Sequence, residues 1–447
     1  MAAPLKIGFV SLGCPKNQID TEVMLYELME AGYEITGDET EADVVVINTC
    51  AFIESAKKEA IDNILDIAWL KKNRSLKYII DCGCLAERYG EQIFDELPEV
   101  DAVLGVGSIH EIVKAVKALV KGKGRYFSRL DKESVKLGGD RIVVNPEYYA
   151  YIKIAEGCDN KCTYCAIPSI RGKFRSREMD DIVAEAKTLE EIGVHELCLV
   201  AQDTTRYGLD IYGEYSLAKL IRRLTDETSI DWIRILYCYP DKITDELCEE
   251  FRTNPRLVKY IDLPIQHIND DVLRRMNRHG GKDAIISAVN KLREASPEIA
   301  IRTTAIVGFP GETDEQFTEL CDFIKETRFT HFGAFTYSAE EDTPAAEFDD
   351  QIDEQVKQDR FDIIMELQSR IVEEENEKYV GKMLKVIVEG FDEVSEAYYG
   401  RASFDAPEID GKIYFNGPER LVQGSFLTVK ITETVDYDLF GTIVYGG

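Results

Sequence analysis

Three cysteines on one short loop have the spacing of ligands to a metal cluster. Cys158, Cys162 and Cys165 form a C-x3-C-x2-C pattern directly after residues 149–155, whose apolar alternation predicts a strand. Soft thiolates suit iron, so three of them on a tight loop can hold three irons of a 4Fe-4S cluster. The fourth iron then keeps an open position, as catalytic metals do. A zinc knuckle or a redox dithiol is the alternative; zinc would need a fourth ligand nearby, and the next candidate, His195, is distant in the sequence.

A second set of cysteines lies in the first part of the chain. Cys14, Cys50 and either Cys82 or Cys84 each come at the end of a predicted strand. Open α/β sheets place their ligands at the carboxyl ends of parallel strands, so these thiols are expected to share one edge and form a second three-thiolate site. Any one of them could instead be a small buried apolar residue. Cys84 is favoured over Cys82 because it stands further beyond the strand, in a Gly-Cys loop.

The first 120 residues alternate strands with helices. The predicted strands are residues 5–11, 43–48, 77–81 and 102–106. The predicted helices are residues 20–31, 54–70 and 109–120, with one more helix before the last strand. This alternation is typical of an α/β fold with an open parallel sheet of flavodoxin-like type. Residues 121–147 are rich in glycine and charge, which predicts a linker.

From residue 149 the alternation resumes and predicts six β/α units. Their strands are residues 149–155, 196–201, 232–237, 259–263, 299–307 and 331–335. Their helices are residues 180–192, 216–228, 244–252, 271–276, 283–294 and 314–328. Six units favour an open, partial (βα)6 TIM barrel over a complete eight-stranded one. Barrel active sites lie at the C-terminal ends of the strands, and the cysteine loop follows the first strand, as this fold requires.

Other strand ends offer candidate cofactor contacts. Gln202 and Asp203 follow the second barrel strand, and Gly308 and Gly311 belong to the glycine-rich turn after the fifth. Such a turn could bring backbone close to an adenine or methionine moiety, although an ordinary βα turn has the same composition.

Three further side chains have less specific signals. Arg175 and Arg177, shortly after the cysteine loop, could bind a carboxylate in a bidentate contact, but surface arginines need no such role. His267, after the fourth strand, is more often a satisfied core residue than a ligand.

In the last part of the chain, apolar residues recur with a period of two, which is typical of strands. After an acidic loop at 340–350, a long polar helix is predicted at 351–379, either crossing the barrel mouth or packing outside it. Five short strands follow, at residues 384–388, 397–402, 412–415, 426–432 and 442–445. They predict a small antiparallel β-barrel of OB-like character. From Lys378 onward the chain has 11 acidic and 7 basic residues, a net charge of −4, which suits a basic protein partner better than RNA.

Composition narrows the class of protein. The 447 residues carry 83 acidic and 53 basic side chains, a net charge of −30, which repels nucleic-acid phosphates and would attract a basic partner, or simply keeps the protein soluble. The N-terminus lacks the pattern of a signal peptide, and no apolar run approaches a membrane span. The 11 cysteines are therefore expected to be reduced thiols and metal ligands in a cytoplasmic protein.

These motifs together resemble a known family. The Cys158–Cys165 loop, with Tyr164 before its last cysteine, is similar to that of the radical S-adenosylmethionine (AdoMet) superfamily, and the N-terminal cysteines with a C-terminal barrel of TRAM type resemble its methylthiotransferase branch. Segments 11–17, 48–53 and 405–411 look like the RimO type. The resemblance covers the whole chain and implies an N-terminal methylthiotransferase domain, a linker, a radical SAM core and a TRAM domain. Their predicted ranges are 4–120, 121–147, 148–377 and 378–447.

The resemblance implies a reaction. Cys158, Cys162 and Cys165 would hold the cluster that binds and reductively cleaves AdoMet, and the resulting 5′-deoxyadenosyl radical would abstract a hydrogen from an aspartate β-carbon. A second cluster would carry the sulfur that a second AdoMet methylates. Its implied ligands are Cys14, Cys50 and Cys84. Gln202, Asp203, Gly308 and Gly311 become candidate AdoMet contacts.

The resemblance also implies partners. The substrate would be small-ribosomal-subunit protein twelve, a basic protein, and an electron donor such as flavodoxin or ferredoxin would be needed. A monomer with no membrane contact is expected, and direct RNA binding is not. Two alternatives remain: a tRNA adenosine methylthiotransferase of MiaB type, whose barrel is usually more basic, and a two-cluster electron carrier or redox sensor, which predicts four cysteines per cluster.

Overall fold

The computed structural model describes residues 5–417 and 420–445. Its first part is a six-stranded parallel sheet in the order β2-β1-β3-β4-β5-β6. The strands are β1 Lys6–Ser11, β2 Glu34–Thr36, β3 Val44–Thr49, β4 Tyr78–Gly83, β5 Ala102–Leu104 and β6 Tyr126–Ser128. The helices are α1 Pro15–Glu30, α2 Glu54–Asn73, α3 Cys84–Tyr89, α4 Ile93–Glu96 and α5 Ile112–Val120. The strand order is the flavodoxin-like one, so this part of the fold prediction is confirmed.

The residues of β3 show why this sheet has helices on both faces. Val45 and Ile47 pack with α2, whereas Val44 and Val46 pack with α1 and α5. A strand buried on both faces is a continuous β-branched run rather than an alternating one, as its sequence is.

Two local expectations for this part need correction. The sheet continues into the interval predicted as a linker, because Tyr126–Ser128 pairs with β5 as its edge strand. A three-residue strand is too short to show periodicity. Helix α1 begins at Pro15 rather than near residue 20, since proline fits the first turn of a helix, where its missing N–H is not needed.

The second part is an open barrel of six parallel strands in the order β14-β13-β12-β11-β10-β7. These strands are β7 Tyr149–Lys153, β10 Glu196–Val200, β11 Trp232–Ile235, β12 Leu257–Asp262, β13 Ala300–Val307 and β14 His331–Thr336. A short antiparallel pair, β8 Ala155–Glu156 and β9 Arg175–Ser176, flanks the cysteine loop. The partial (βα)6 barrel is thus confirmed.

Helices follow the strands of this barrel, and the longer ones cover its outside. In chain order the helices are α6 Ile167–Arg171, α7 Met179–Glu191, α8 Leu209–Tyr212, α9 Leu217–Glu227, α10 Asp245–Thr253, α11 Asp270–Arg275, α12 Gly281–Ala295, α13 Asp314–Thr327 and α14 Glu354–Asn376. The short helix α6 packs instead on α3 of the N-terminal domain. The last helix packs against α13 and β14, outside the barrel, which resolves the two placements that the sequence left open.

The third part is a closed five-stranded barrel. Its strands are β15 Met383–Asp392, β16 Ala397–Ala402, β17 Ile413–Asn416, β18 Phe426–Val435 and β19 Asp438–Ile443. Neighbouring strands are antiparallel except β17 and β19, which pair in parallel, so the expectation of a purely antiparallel barrel is wrong at that seam.

The small barrel docks on the N-terminal ends of the large barrel's strands. In its loop 405–411, Asp410 accepts a hydrogen bond of 2.8 Å from the hydroxyl of Tyr260, and Glu408 accepts one of 2.7 Å from Tyr149. This segment, part of the family resemblance, therefore lies at the end of the barrel opposite the cysteine loop.

The N-terminal domain covers the C-terminal ends instead. Glu340, which follows β14, is 2% exposed and accepts a hydrogen bond of 2.8 Å from the backbone N–H of Glu54. Its carboxylate also lies 3.1 Å from Arg88 and 3.3 Å from Lys57. The two cysteine-bearing edges are thereby held together. Over the residues that the structure describes, no helix has both the length and the apolar composition to cross a bilayer.

Candidate functional site

The N-terminal cysteines gather at the carboxyl edge of the first sheet. Cys14 directly precedes α1, Cys50 follows β3 and Cys84 begins α3. The three thiols are near enough for the charges of Cys84 and Cys14 to act on Cys50. The shared edge expected from the sequence is present.

Two glycines allow the three loops to approach one another. Gly13 has φ +91°, and a Cβ there would lie 2.8 Å from the Cβ and 3.2 Å from the Sγ of Cys50. Gly83 has φ +95°, and a Cβ there would lie 2.2 Å from Oδ1 of Asn48 and 2.7 Å from the carbonyl oxygen of Thr49. Only glycine fits both the left-handed conformation and the space, so each loop places its cysteine by excluding a side chain next to it.

Asn17 and Arg171 connect this edge to the large barrel. The Asn17 amide donates to the carbonyls of Leu12, at 3.1 Å, and Thr49, at 2.9 Å, while its Oδ1 accepts from Arg171. An Arg171 nitrogen lies 3.4 Å from Sγ of Cys84. A cation against a thiol stabilises the thiolate and suits an anionic metal–thiolate group.

Arg171 belongs to a buried network of four charges. It lies 2.7 Å from Asp20 and 3.3 Å from Glu156. Lys153 lies 2.5 Å from Asp20 and 2.8 Å from Glu156. The four side chains are 2–7% exposed and two of each sign, so their charges balance in a dry interface.

The three N-terminal thiols differ in acidity. Burial acts to raise the pKa of Cys14, but the cations Lys16 and Arg171 outweigh it and the pKa lies below the ordinary value. Burial raises the pKa of Cys50 to about 12 and also raises the pKa of Cys84. Binding of a metal would therefore have to displace protons from the last two thiols.

The structure separates Cys82 from Cys84. The Cys82 thiol is buried within the sheet, 3.5 Å from the carbonyl oxygen of Ile47, whereas Cys84 Sγ lies 3.6 Å from Asn17 Oδ1. Cys84 stays the predicted ligand. Cys198 and Cys238 pack in the hydrophobic core, as expected for spare cysteines.

The second cysteine loop is fixed by backbone hydrogen bonds. The N–H of Cys158 donates to Gly172 at 3.1 Å and that of Cys165 donates to Cys162 at 3.1 Å. The thiol of Cys162 lies 3.6 Å from the hydroxyl of Tyr239. Burial raises the pKa of Cys158 to about 11 and raises that of Cys165.

The donor set fits the clusters that the sequence predicts. Each loop region offers three thiols of the kind that bind iron, held by glycine contacts or backbone hydrogen bonds. Within the described ranges, no three His, Cys, Asp or Glu side chains already stand around a common metal position. The assignment of all six cysteines as ligands stays a prediction.

Gln202 and Asp203 lie beside the second cysteine loop. The Gln202 amide donates to Glu156, and Asp203 accepts a hydrogen bond of 2.8 Å from Asn160, between Cys158 and Cys162. Burial raises the pKa of Asp203. Oε1 of Gln202 is buried without a hydrogen-bond partner, which leaves one acceptor for a ligand.

The glycine-rich turn with Gly308 and Gly311 packs against side chains of the protein itself. A Cβ on Gly308 would meet the side chain of Lys357, and one on Gly311 would meet Asp350. The N–H of Gly308 donates to Glu312 and that of Gly311 donates to the Asp350 carbonyl, so these backbone donors are already engaged. Their role as AdoMet contacts stays a prediction.

Arg175, Arg177 and His267, the less specific candidates from the sequence, make structural contacts. Arg175 donates to the carbonyls of Val135 and Lys132, each at 2.7 Å, and Arg177 binds Glu185. His267 is fully buried and accepts a hydrogen bond of 3.0 Å from the backbone of Asn269. These contacts favour the structural interpretation of all three.

A cavity opens between the two cysteine-bearing edges. It measures about 630 Å³ and is lined by Phe52, from the loop after Cys50, by Tyr164, from the second loop, and by Gln266. Oε1 of Gln266 is buried without a partner. A space lined by residues next to Cys50 and Cys165, with Gln266 on its wall, suits a polar ligand.

Sequence reasoning missed the charged residues of this interface. Asp20, Lys153, Glu156 and Arg171 have the types of surface side chains, and only the fold shows them to be buried. The one local signal was the position of Arg171 shortly after the second cysteine loop.

Comparisons with known proteins agree with this arrangement. Residues 6–105 match the Uncharacterized protein family UPF0004, residues 152–324 match the Radical SAM superfamily and residues 380–444 match the TRAM domain. A radical S-adenosylmethionine methyltransferase from Kitasatospora setae, TsrM, shares the fold with a TM-score of 0.56 at 14% identity, over 86% of this chain and 77% of that one.

Full-length relatives are much closer in sequence. The ribosomal protein uS12 methylthiotransferase RimO of Clostridium tetani is 49% identical over 98% of both chains. The protein of the same name from Desulforamulus reducens is 48% identical over 98% of this chain and 99% of its own length. With that similarity over the full length, and with both cysteine sets at one interface, the chain belongs to the RimO family of radical AdoMet methylthiotransferases.

Proposed function

We propose that this protein is the methylthiotransferase of ribosomal protein uS12, adding a methylthio group to the β-carbon of an aspartate. The observation that carries the proposal is the meeting of two three-cysteine sites at one interface, in a chain of RimO type. A C–H bond on an unactivated carbon is not acidic enough to be broken by acid–base catalysis, so the reaction needs radical chemistry from a cofactor.

Two 4Fe-4S clusters and AdoMet supply that radical and the sulfur transfer when they are bound. The protein's own side chains hold and shield them. Cys158, Cys162 and Cys165 are the proposed ligands in the barrel, and Arg171 places its positive charge against the thiol of Cys84. The ion pairs of Glu340 hold the two domains together over the site.

The partners follow from charge and chemistry. A net charge of −30 attracts a basic ribosomal protein and speeds their encounter. A low-potential one-electron donor such as flavodoxin or ferredoxin is required for the reductive step, and we propose that the enzyme acts as a monomer in the cytoplasm.

Mass spectrometry of uS12 and of tRNA from cells lacking the gene tests the substrate. Loss of the methylthio group from uS12 alone is expected. Its loss from tRNA instead would assign the protein to the MiaB type.

Cysteine variants test the two sites separately. The reconstituted protein should hold about eight irons, as two 4Fe-4S clusters require. A triple alanine variant of Cys14, Cys50 and Cys84 should still cleave AdoMet but transfer no sulfur. The same change at the second loop should abolish cleavage, and two independent electron-transfer centres without AdoMet chemistry would instead support a carrier.

A further inference from the structure

One buried lysine at the site has no acidic partner. Lys16 is 6% exposed and lies in the first turn of α1, two residues after Cys14. Its ammonium rests on an aromatic ring, with Nζ 3.2 Å from the ring centroid of Tyr237. Within residues 5–417 and 420–445, this ammonium forms no ion pair.

The other deeply buried lysines of the described chain are paired. Lys57, Lys153 and Lys357 are similarly buried, and each has a carboxylate oxygen 2.5 or 2.6 Å from its ammonium. Lys16 instead lowers the pKa of the thiol of Cys14 and rests on the ring of Tyr237. A buried ammonium without a carboxylate partner is costly, even when a ring face offsets part of the loss. Lys16 is therefore placed where a carboxylate from outside the chain can pair with it.

The ring beneath Lys16 is held by a strained backbone. Tyr237, just beyond β11, has φ +61°, which a bulky side chain rarely adopts. Its N–H donates to Asp262 at 3.0 Å, and its carbonyl accepts from the N–H of Thr204 at 3.0 Å. Strain that is fixed from both sides is typical of functional sites.

The surroundings leave Lys16 as the available positive charge. Cys14 and Glu156 are both near enough for their charges to act on it. Glu156, however, already lies 2.8 Å from Lys153 and 3.3 Å from Arg171. An incoming carboxylate would find the cations of that network already held by carboxylates, whereas Lys16 has the thiol of Cys14 and the ring of Tyr237 beside it.

We propose that Lys16 binds the side-chain carboxylate of the substrate aspartate and so positions the adjacent β-carbon between the two cysteine loops. This inference rests on the proposed function. An ion pair next to the reacting carbon also explains how the site would select aspartate over asparagine, since the neutral amide would leave the buried ammonium without a carboxylate.

The test compares two forms of uS12, one with the target aspartate and one with asparagine in its place. Dissociation constants are measured anaerobically for the reconstituted wild type, Lys16→Met, Lys16→Arg and Lys71→Met. Lys71→Met is the control, because this substitution also removes a lysine charge from the N-terminal domain. The ammonium of Lys71 is paired, 2.6 Å from Asp101. Iron content is measured on each; should Lys16→Met lose iron, the neutral Lys16→Gln replaces it.

The expected result is a preference of the wild type for the aspartate form by about tenfold, which a charge-assisted contact supplies. Lys71→Met keeps that preference, Lys16→Arg keeps most of it, and Lys16→Met abolishes it while the KM for AdoMet in cleavage is unchanged.

An undiminished preference in Lys16→Met would overturn the inference. So would a raised KM for AdoMet with the preference intact, since Lys16 would then serve the carboxylate of AdoMet. A wild type that bound neither form of uS12 would instead refute the proposed function itself.

Discussion

A buried ion cluster joins the C-terminal barrel to the large barrel, and its central cation is Arg401. This side chain is 1% exposed and binds Glu196, which is fully buried. Its Nε lies 2.7 Å from Glu389, while Arg234 lies 2.7 Å from the other oxygen of Glu196. Burial acts to raise the pKa of Glu196, but the two guanidinium groups outweigh it and hold the pKa below the ordinary value.

Arg401→Met should therefore cost about 3–5 kcal/mol, the usual loss when one partner of a buried ion pair is removed. The substitution keeps an apolar stem of similar length but leaves Glu389 unpaired and Glu196 with one cation. Because the contact with Glu196 lies between domains, the loss should appear first as undocking of loop 405–411.

Two measurements check this. Amide hydrogen exchange of residues 405–411 should become faster, and the urea midpoint should fall. In a double-mutant cycle, Glu196→Gln combined with Arg401→Met should cost less than the sum of the single changes by about 1–3 kcal/mol, since the two side chains are in contact.

Arg370→Met is the matched control. Arg370 also binds a glutamate, Glu366, but the two side chains are 71% and 67% exposed, so its loss should cost no more than about 1 kcal/mol. If Arg401→Met were no more costly than this control and left the exchange of the loop unchanged, the buried cluster would not be what docks the barrel.

Three further predictions test burial, domain closure and loop packing. Burial raises the pKa of Asp81 to about 8, so the folded protein keeps a proton that the unfolded chain releases above about pH 4, and stability falls as pH rises between these values. Urea denaturation should show Asp81→Asn free of that loss, which amounts to at most about 1.4 kcal/mol per pH unit. Glu340→Gln should cost about 2–5 kcal/mol, because the buried Arg88 loses its charge partner, and should speed amide exchange at the start of α2. Gly83→Ala, with its Cβ 2.2 Å from a neighbouring side chain, should lower reconstituted iron from about eight to about four per chain, whereas Gly32→Ala, at φ +88° with no atom within 4 Å, should keep it.

Each has an outcome that would contradict it. If the free energy of unfolding changed with pH in the same way for wild type and Asp81→Asn, the Asp81 carboxyl would already be ionised in the folded protein. If amide hydrogen exchange at the start of α2 were unchanged in Glu340→Gln, contacts other than those of Glu340 would hold the domains together. A full iron content in Gly83→Ala would show that the loops tolerate a side chain at that position.

Periodicity was sufficient to predict the longer strands of both parallel sheets and to place both cysteine sets at their carboxyl ends, but not the three-residue edge strand Glu34–Thr36. The β-branched run of β3 and the regular βα alternation are long, local signals, and parallel strands bring their carboxyl ends to one edge whatever the loops contain. The strand Tyr126–Ser128 was missed because three residues carry no period, and Pro15 was missed as a helix start because the loop around it is rich in turn residues.

The charged residues of the site could not be predicted in this way. Arg175 and Arg171 are the same residue type four positions apart, yet one caps backbone carbonyls while the other lies against Cys84. Arg171 ends the helix Ile167–Arg171 and reaches Asp20 of the N-terminal domain, whereas Arg175 lies on β9 and reaches Val135. What distinguishes them is therefore a set of contacts between segments far apart in the chain.

Buried ions cross the interface between the two domains beside apolar contacts such as that of Ile170, and this has a functional consequence. The network of Asp20, Lys153, Glu156 and Arg171 satisfies its charges only in one register. That register sets the position of the thiol of Cys84 relative to the loop that begins at Glu156. A reaction that joins a sulfur held by one domain to a carbon radical formed at the other needs such a fixed separation, and it needs a dry space, which balanced charges permit.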